Sequence, residues 1–235
     1  MGVLIETETE WAFITPAGHR SVFSIRPGSS DWNTCNSCSG EHDEYHLPSG
    51  LSGWALDVGA HIGAATIPLL LDNPDLHVVA IEALPENFAL LTENLARNGV
   101  ADRCLAFHAA ASDSTRPVQI GYGPRSGENQ HSEFIGSANG PTAATDFASP
   151  DGITLAAVLD AQGRGAEADF AWMKIDCEGC EYPFLSSSLV SRIAFITGEH
   201  HFGYERVKAL LEATHEVTML GGTEGFGHFE AVRRG

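Results

Sequence analysis

Residues 54–63 read Trp54-Ala55-Leu56-Asp57-Val58-Gly59-Ala60-His61-Ile62-Gly63. An apolar run that ends in a glycine turn describes a buried strand that stops where the backbone must bend sharply. The period then changes. Residues 64–71 form an apolar helix, and Asn73-Pro74 ends it. Residues 77–81 make a second apolar strand whose tip is Glu82. Pro85 opens a second helix at a position where its missing N–H costs nothing, and Asn98-Gly99 stops that helix near residue 97. Residues 105–111 are a third strand. Strand–helix–strand–helix–strand in so short a stretch predicts an α/β fold with a doubly wound, mostly parallel sheet.

The pattern continues in both directions. Residues 118–122 suggest a short strand and 153–159 a short helix. Between them, residues 123–150 are rich in Gly, Ser, Asn, Thr and Pro and have no period; a connection of that length is a functional lid or unstructured. Residues 170–175 are a fourth strand ending at Asp176, and a helix starts over 181–187. Residues 193–197 are a fifth strand, ending at Gly198-Glu199-His200-His201. A helix over 204–214 carries Val207, Leu210 and Leu211 on one side. Residues 215–220 and 227–232 close the chain as two strands too near each other to hold a crossover helix, so one of them is antiparallel. On the N-terminal side, residues 22–25 suggest a short strand and 26–44 a loop with one helical turn. The change of character near Gly53 divides the chain into a lobe or lid, 1–50, and a Rossmann-like domain, 51–235.

The 235 residues suit such an arrangement. The formal net charge of −18 argues against a nucleic-acid or anionic-membrane partner, because phosphates would be repelled. No basic leader precedes an apolar core at the start, and the longest apolar runs fall short of the roughly 18 residues a membrane span needs. The expected location is the cytoplasm, and the expected partner is a small-molecule acceptor. Oligomeric state is left open. The five cysteines include two C-x-x-C pairs, Cys35/Cys38 and Cys177/Cys180. In a reducing compartment such pairs stand for a four-thiolate zinc site, redox chemistry or nothing, rather than structural disulfides.

In a doubly wound sheet, ligands lie beyond the carboxyl ends of the strands. At those ends stand Asp57, Glu82, residues 110–113, Asp176 with Glu178, and Glu199 with His200 and His201. Carboxylates recur at these ends, which asks for a cationic or hydroxyl-rich ligand. The turn Asp57-Val58-Gly59-Ala60-His61-Ile62-Gly63 lacks the G-x-G-x-x-G pattern of dinucleotide sites and puts a carboxylate where a pyrophosphate would sit. S-adenosylmethionine (SAM) has no phosphate and carries positive sulfonium and amino groups. Glu82, placed 19 residues after Gly63, suits a pair of ribose hydroxyls. An NAD-dependent oxidoreductase and a non-catalytic nucleotide-binding module on the same fold remain as alternatives. For a hydroxyl acceptor, Asp176, Glu178, His200 and His201 are the candidate bases. Asp176, Glu178, Glu199, His200 and His201 hold enough oxygen and nitrogen ligands for a divalent metal, which would lower the acceptor's pKa, with Asp176, Glu199 and His200 as the first choice.

Three segments carry a family resemblance: Leu56 to Gly63 of the turn, Ile81-Glu82-Ala83-Leu84-Pro85-Glu86-Asn87, and Lys174-Ile175-Asp176-Cys177-Glu178-Gly179-Cys180-Glu181. Together they resemble the FkbM family of SAM-dependent methyltransferases. Residues 26–32 and the pair Glu44-Tyr45 are similar to that family's N-terminal lobe, so the likeness runs from about residue 26 to 201. The resemblance implies a seven-stranded class I methyltransferase fold and O-methylation of a sugar or natural product. It puts Asp57, Gly59, His61 and Gly63 in the SAM turn, Glu82 on the ribose, and Ala83 and Asn87 just beyond it. It puts Ala111 and Ser112 beside the adenine and Asp176 and Glu178 beside the methyl group. Asp31 and Tyr45 close over the cofactor. His61 stands where the family more often has Asn, and residues 123–150 and the Cys35/Cys38 pair match nothing in the family's pattern.

Overall fold

A computed structural model describes residues 3–122, 146–162 and 169–235. Most of the segment expected to form a lid, 123–150, therefore lies outside the described residues. The chain opens with a three-stranded antiparallel meander: β1 (Val3–Glu6), β2 (Glu10–Ile14) and β3 (Arg20–Ser24). Helix α1 (Asp31–Ser37) follows, then β4 (Gly53–Val58), α2 (Thr66–Asp72), β5 (Leu76–Glu82), α3 (Pro85–Arg97) and β6 (Cys104–His108). Short strands β7 (Ala110–Ala111), β8 (Ile120–Tyr122), β9 (Asp146–Ala148) and β10 (Gly152–Ile153) form two small two-stranded sheets. The remainder is α4 (Leu155–Ala161), β11 (Phe170–Ile175), α5 (Glu181–Leu185), β12 (Phe195–His200), α6 (Tyr204–Leu211), β13 (His215–Gly222) and β14 (Gly227–Arg233).

The main sheet has seven strands in the order β13-β14-β12-β11-β4-β5-β6. Strands β12, β11, β4, β5 and β6 are parallel; β14 runs antiparallel to both β12 and β13. The doubly wound α/β sheet expected from the motif order, with the seven strands that the family resemblance implies, is the one observed. Its central strands are buried on both faces, which is why they read as unbroken apolar runs. Pro85 stands at the start of α3, and Gly99, at φ +68°, follows its end.

Three local expectations change. Residues 105–111 are two strands, because the chain turns away at Ala109 to pair β7 with β10. The helix expected over 153–159 starts later, capped by the Thr154 side chain, which accepts from the Ala157 N–H. The N-terminal segment has three strands where one was expected, and the helical turn expected within residues 26–44 is α1. The meander docks on α3: Ser24 N–H donates to Asn94 Oδ1 at 2.7 Å, and Val22 N–H donates to Asn98 Oδ1 at 2.9 Å. Trp11, Phe13 and Phe23 share one buried core with Ile62, Leu70 and Trp172. No described helix is long and apolar enough to cross a membrane.

Candidate active site

The β4–α2 turn is built around Gly59. Its φ is +80°, and a Cβ there would stand 1.8 Å from the backbone carbonyl oxygen of Asp176. Only glycine lets the first turn come down onto the end of β11. His61 continues the turn at φ +51°, and Gly63 closes it at φ +92°. Beneath the turn, Asp57 is fully buried. Its Oδ2 accepts from Thr66 Oγ1 at 2.6 Å, and Lys174 Nζ lies 3.4 Å from its Oδ1. Lys174 also donates to the Gly59 carbonyl at 2.7 Å. Burial works against the ammonium, but Asp57 and Asp176 outweigh it and hold Lys174 above its ordinary range.

A cavity of about 720 Å³ opens above the carboxyl ends of these strands, within the size range of small-molecule sites. On the β5–β6 side its walls are apolar and include Ala83, Leu84, Ala110, Ala111, Val118 and Ile120. Glu82 lies in that half. Its Oε1 accepts from the Leu84 N–H at 2.8 Å and from Asn87 Nδ2 at 3.3 Å, and its Oε2 accepts from the His61 N–H at 2.8 Å. Burial raises this carboxyl, and those two backbone donors pull it back. The carboxylate is thereby fixed in place, with acceptor capacity left for hydroxyl donors in the cavity.

On the β11–β12 side the cavity is acidic. Asp176, Glu178 and Glu199 line it together with His201 and Phe226. His201 Nδ1 is 2.7 Å from Oε1 of the fully buried Glu181. Its Nε2 lies 3.3 Å from Glu178 Oε2, 3.4 Å from Glu199 Oε2 and 3.8 Å from Asp176 Oδ1. Burial disfavours the imidazolium, but Glu181, Glu199 and Glu178 override it and push His201 up to about 11. Glu178, held at φ +56°, is raised to about 8, first by burial and then by its acidic neighbours. Asp176 is half-buried yet stays below its ordinary range because of Lys174, His201 and the Tyr45 hydroxyl, which donates to Oδ2 at 2.7 Å. Tyr45 and Glu44 thus bring the N-terminal segment over this half of the cavity.

Of the residues singled out in the sequence, Gly59, His61, Glu82, Ala83, Asn87, Ala111, Tyr45, Asp176, Glu178 and His201 line the cavity. Five residues do not. Asp57 faces Thr66 and Lys174, so it braces the turn from behind. Gly63 packs under the turn against Ile67 and Leu91. Ser112 is buried beside β10, its N–H donating to the Ile153 carbonyl. Asp31 is buried at the start of α1, where Arg26 holds both its oxygens and reaches Asn87 Oδ1 at 2.6 Å. His200 is the clearest correction. Strand alternation turns it away from Glu199 and His201 into the core, 6.0 Å from the Tyr204 ring. It is no base for a ligand in the cavity, and the metal set Asp176, Glu199 and His200 does not assemble.

Cys177 and Cys180 form a disulfide with Cα atoms 5.4 Å apart, which removes them from any four-thiolate zinc site. Cys35 and Cys38 are free and buried, and burial raises both thiols well above their ordinary range. Sequence reasoning passed over Lys174, Arg26, Glu181, His228 and Phe226. A lysine inside an otherwise apolar central strand was the one available signal, since such a charge demands a buried partner.

The order of the sheet, the glycine turn and the strand-tip carboxylates together define the architecture of class I SAM-dependent methyltransferases. Residues 57–228, more than half of the chain, match the family of the methyltransferase FkbM domain. The chain belongs to the FkbM methyltransferase family. A T. thermophilus 16S rRNA methyltransferase solved with AdoMet and guanosine aligns over 97% of this chain and 52% of its own, at 14% identity and a TM-score of 0.50. M. jannaschii TYW2 in complex with AdoMet aligns over 98% of this chain and 90% of its own, at 16% identity and a TM-score of 0.49. A precorrin-6y C5,15-methyltransferase from Geobacter metallireducens aligns over 82% and 84%, at 13% identity and a TM-score of 0.47. These are likenesses of fold. Comparison with curated proteins finds no match.

Proposed function

We propose that the protein binds SAM in this cavity and transfers its methyl group to a hydroxyl of a small, non-anionic molecule. The observation that carries the reading is one cavity with two unlike halves: apolar walls around an anchored Glu82, and an acidic cluster around Asp176. The chemistry of the lining fits the cofactor. Glu82 offers acceptors to two ribose hydroxyls, and the alanine-rich wall suits an adenine ring. The carboxylates of the other half favour a positively charged methionyl end. When bound, SAM supplies an electrophilic methyl group with a good leaving group.

The chain's own part is to aim the acceptor and take its proton. Asp176, fixed by Tyr45, and Glu178 stand where an acceptor hydroxyl would reach them. The carboxylates around His201 favour its protonated form whenever no other cation lies among them, so it is not the free base. Residues 1–50 act as the cover of the site through Tyr45 and Glu44. The acidic lining and the net charge of −18 disfavour nucleic acid as acceptor. Calorimetric titration with S-adenosylhomocysteine tests the cofactor half, with NADH as control. Binding of the first alone is expected, and Glu82→Ala should weaken it by about 1–3 kcal/mol. Binding of NADH instead, or an unchanged affinity in Glu82→Ala, overturns the assignment.

A further inference from the structure

His201 is the most unusual side chain in the cavity wall. It is only 5% exposed, yet it points into the acidic half of the cavity. Its Nδ1 is held by Glu181, itself fully buried. Its Nε2 has no hydrogen-bond partner: the three nearest carboxylate oxygens, at 3.3–3.8 Å, are too far or ill directed. The second oxygen of Glu181 is also buried without a partner. A histidine oriented through one nitrogen by a buried carboxylate, with the other nitrogen aimed at further carboxylates, is the arrangement of a metal ligand with its supporting shell. Ligands at right angles around a six-coordinate divalent ion, each about 2.1 Å from it, stand about 3 Å apart. The separations of 3.3–3.8 Å from His201 Nε2 to the three carboxylates approach that spacing.

We infer that His201 Nε2, Asp176, Glu199 and Glu178 form a binding site for a divalent cation of the Mn²⁺ class, with Glu181 as the positioning residue for His201. One imidazole among several carboxylates suits a cation of intermediate hardness rather than a thiophilic one. Glu199 enters from β12, Asp176 from the end of β11 and Glu178 from the left-handed residue of the following loop, so the site exists only in the folded chain. Asp176, Glu181 and His201 converge as one group; Glu199 also turns its Oε1 to His228 Nε2 at 3.5 Å, and Glu44, Glu199 and His228 form a second. The His201 group is preferred because its nitrogen is both buried and without a hydrogen-bond partner; His228 is 23% exposed. The ion would displace the Nε2 proton of His201 to solvent and face the cavity, where an acceptor oxygen could join its coordination.

The test is a titration of chelator-treated protein with Mn²⁺, free ion being followed by its EPR signal and melting temperature in parallel. It requires neither SAM nor an acceptor, so its outcome is separate from the cofactor titration above. One saturable site per chain is expected, with a rise in melting temperature on binding. Glu199→Gln and His201→Gln should lose roughly a hundredfold in affinity, and Glu181→Gln roughly ten- to a hundredfold. Glu205→Gln, on the exposed face of α6, should bind as the parent does. Glu178→Gln replaces His201→Gln if that buried change prevents folding. The assignment fails if no saturable site is found, or if Glu205→Gln weakens binding as much as Glu199→Gln. It also fails if His228→Gln abolishes binding while His201→Gln or its replacement leaves it intact.

Discussion

Lys174 shows how much a single buried charge holds together. Its ammonium ties the first turn, through the Gly59 carbonyl, to Asp57 below and to the ring of Tyr45, 5.1 Å away. Replacing it with methionine leaves Asp57 buried without its ionic partner. Lys174→Met should therefore destabilise the fold by about 3–5 kcal/mol, read from the denaturant midpoint. Adding Asp57→Leu should recover part of the loss, since two apolar groups then replace the pair. His61 carries the opposite lesson. Burial holds it down at about 4, against the pull of Asp31, so it is neutral in the folded protein at neutral pH. The unfolded chain takes a proton near 6.5, the folded chain only near 4. As pH falls through that window the unfolded state binds the extra proton, and stability drops by up to about 3 kcal/mol. His61→Asn keeps a residue that tolerates positive φ and removes the titration. Its urea-unfolding free energy should fall less steeply between pH 6.5 and 4 than that of the parent.

At the scale of elements, the β4–α2 turn and the loop after β11 are one structure, because they touch backbone to backbone at Gly59 and Asp176. Gly59→Ala faces both an unfavourable φ and a direct clash. It should cost at least about 3 kcal/mol and abolish S-adenosylhomocysteine binding, as seen by melting temperature and calorimetry. Gly225→Ala, with open space around its Cβ position, should stay within about 0.5 kcal/mol. Elements with a strong period and clear stops were readable from the chain: β4, β5, β11 and α3 fall within a residue or two of their expected bounds. The N-terminal meander was not. Its strands are five residues or fewer, and docking on α3 through Asn94 and Asn98 fixes them, a contact with no local signal.

At the scale of the whole molecule, a net charge of −18 means that the compact state repels itself. Part of the acidity is gathered at the site, where Asp176, Glu178, Glu181 and Glu199 all lie within 4 Å of one histidine. Raising ionic strength from about 0.01 to 0.15 M shortens the screening length from roughly 30 to 8 Å. The melting temperature should rise by a few degrees over that range, and a fall would mean that attractive pairs dominate.

Reading the chain was enough to identify the doubly wound sheet, the strand-tip carboxylates, the glycine turn and the family, because each rests on a local period, a turn or a short motif. Only the folded structure showed which polar groups face the cavity and which face the core. Asp57 and His200 stand at strand ends as the sequence indicates, but strand alternation and a buried lysine turn them away from it. Asp176 and His201, similar on paper, are turned toward it. Tyr45 lies 131 residues from Asp176, and the Cys177–Cys180 bond competes with any pairing to Cys35 and Cys38. Such choices depend on side-chain direction and on partners brought from distant segments, which no period in the chain records.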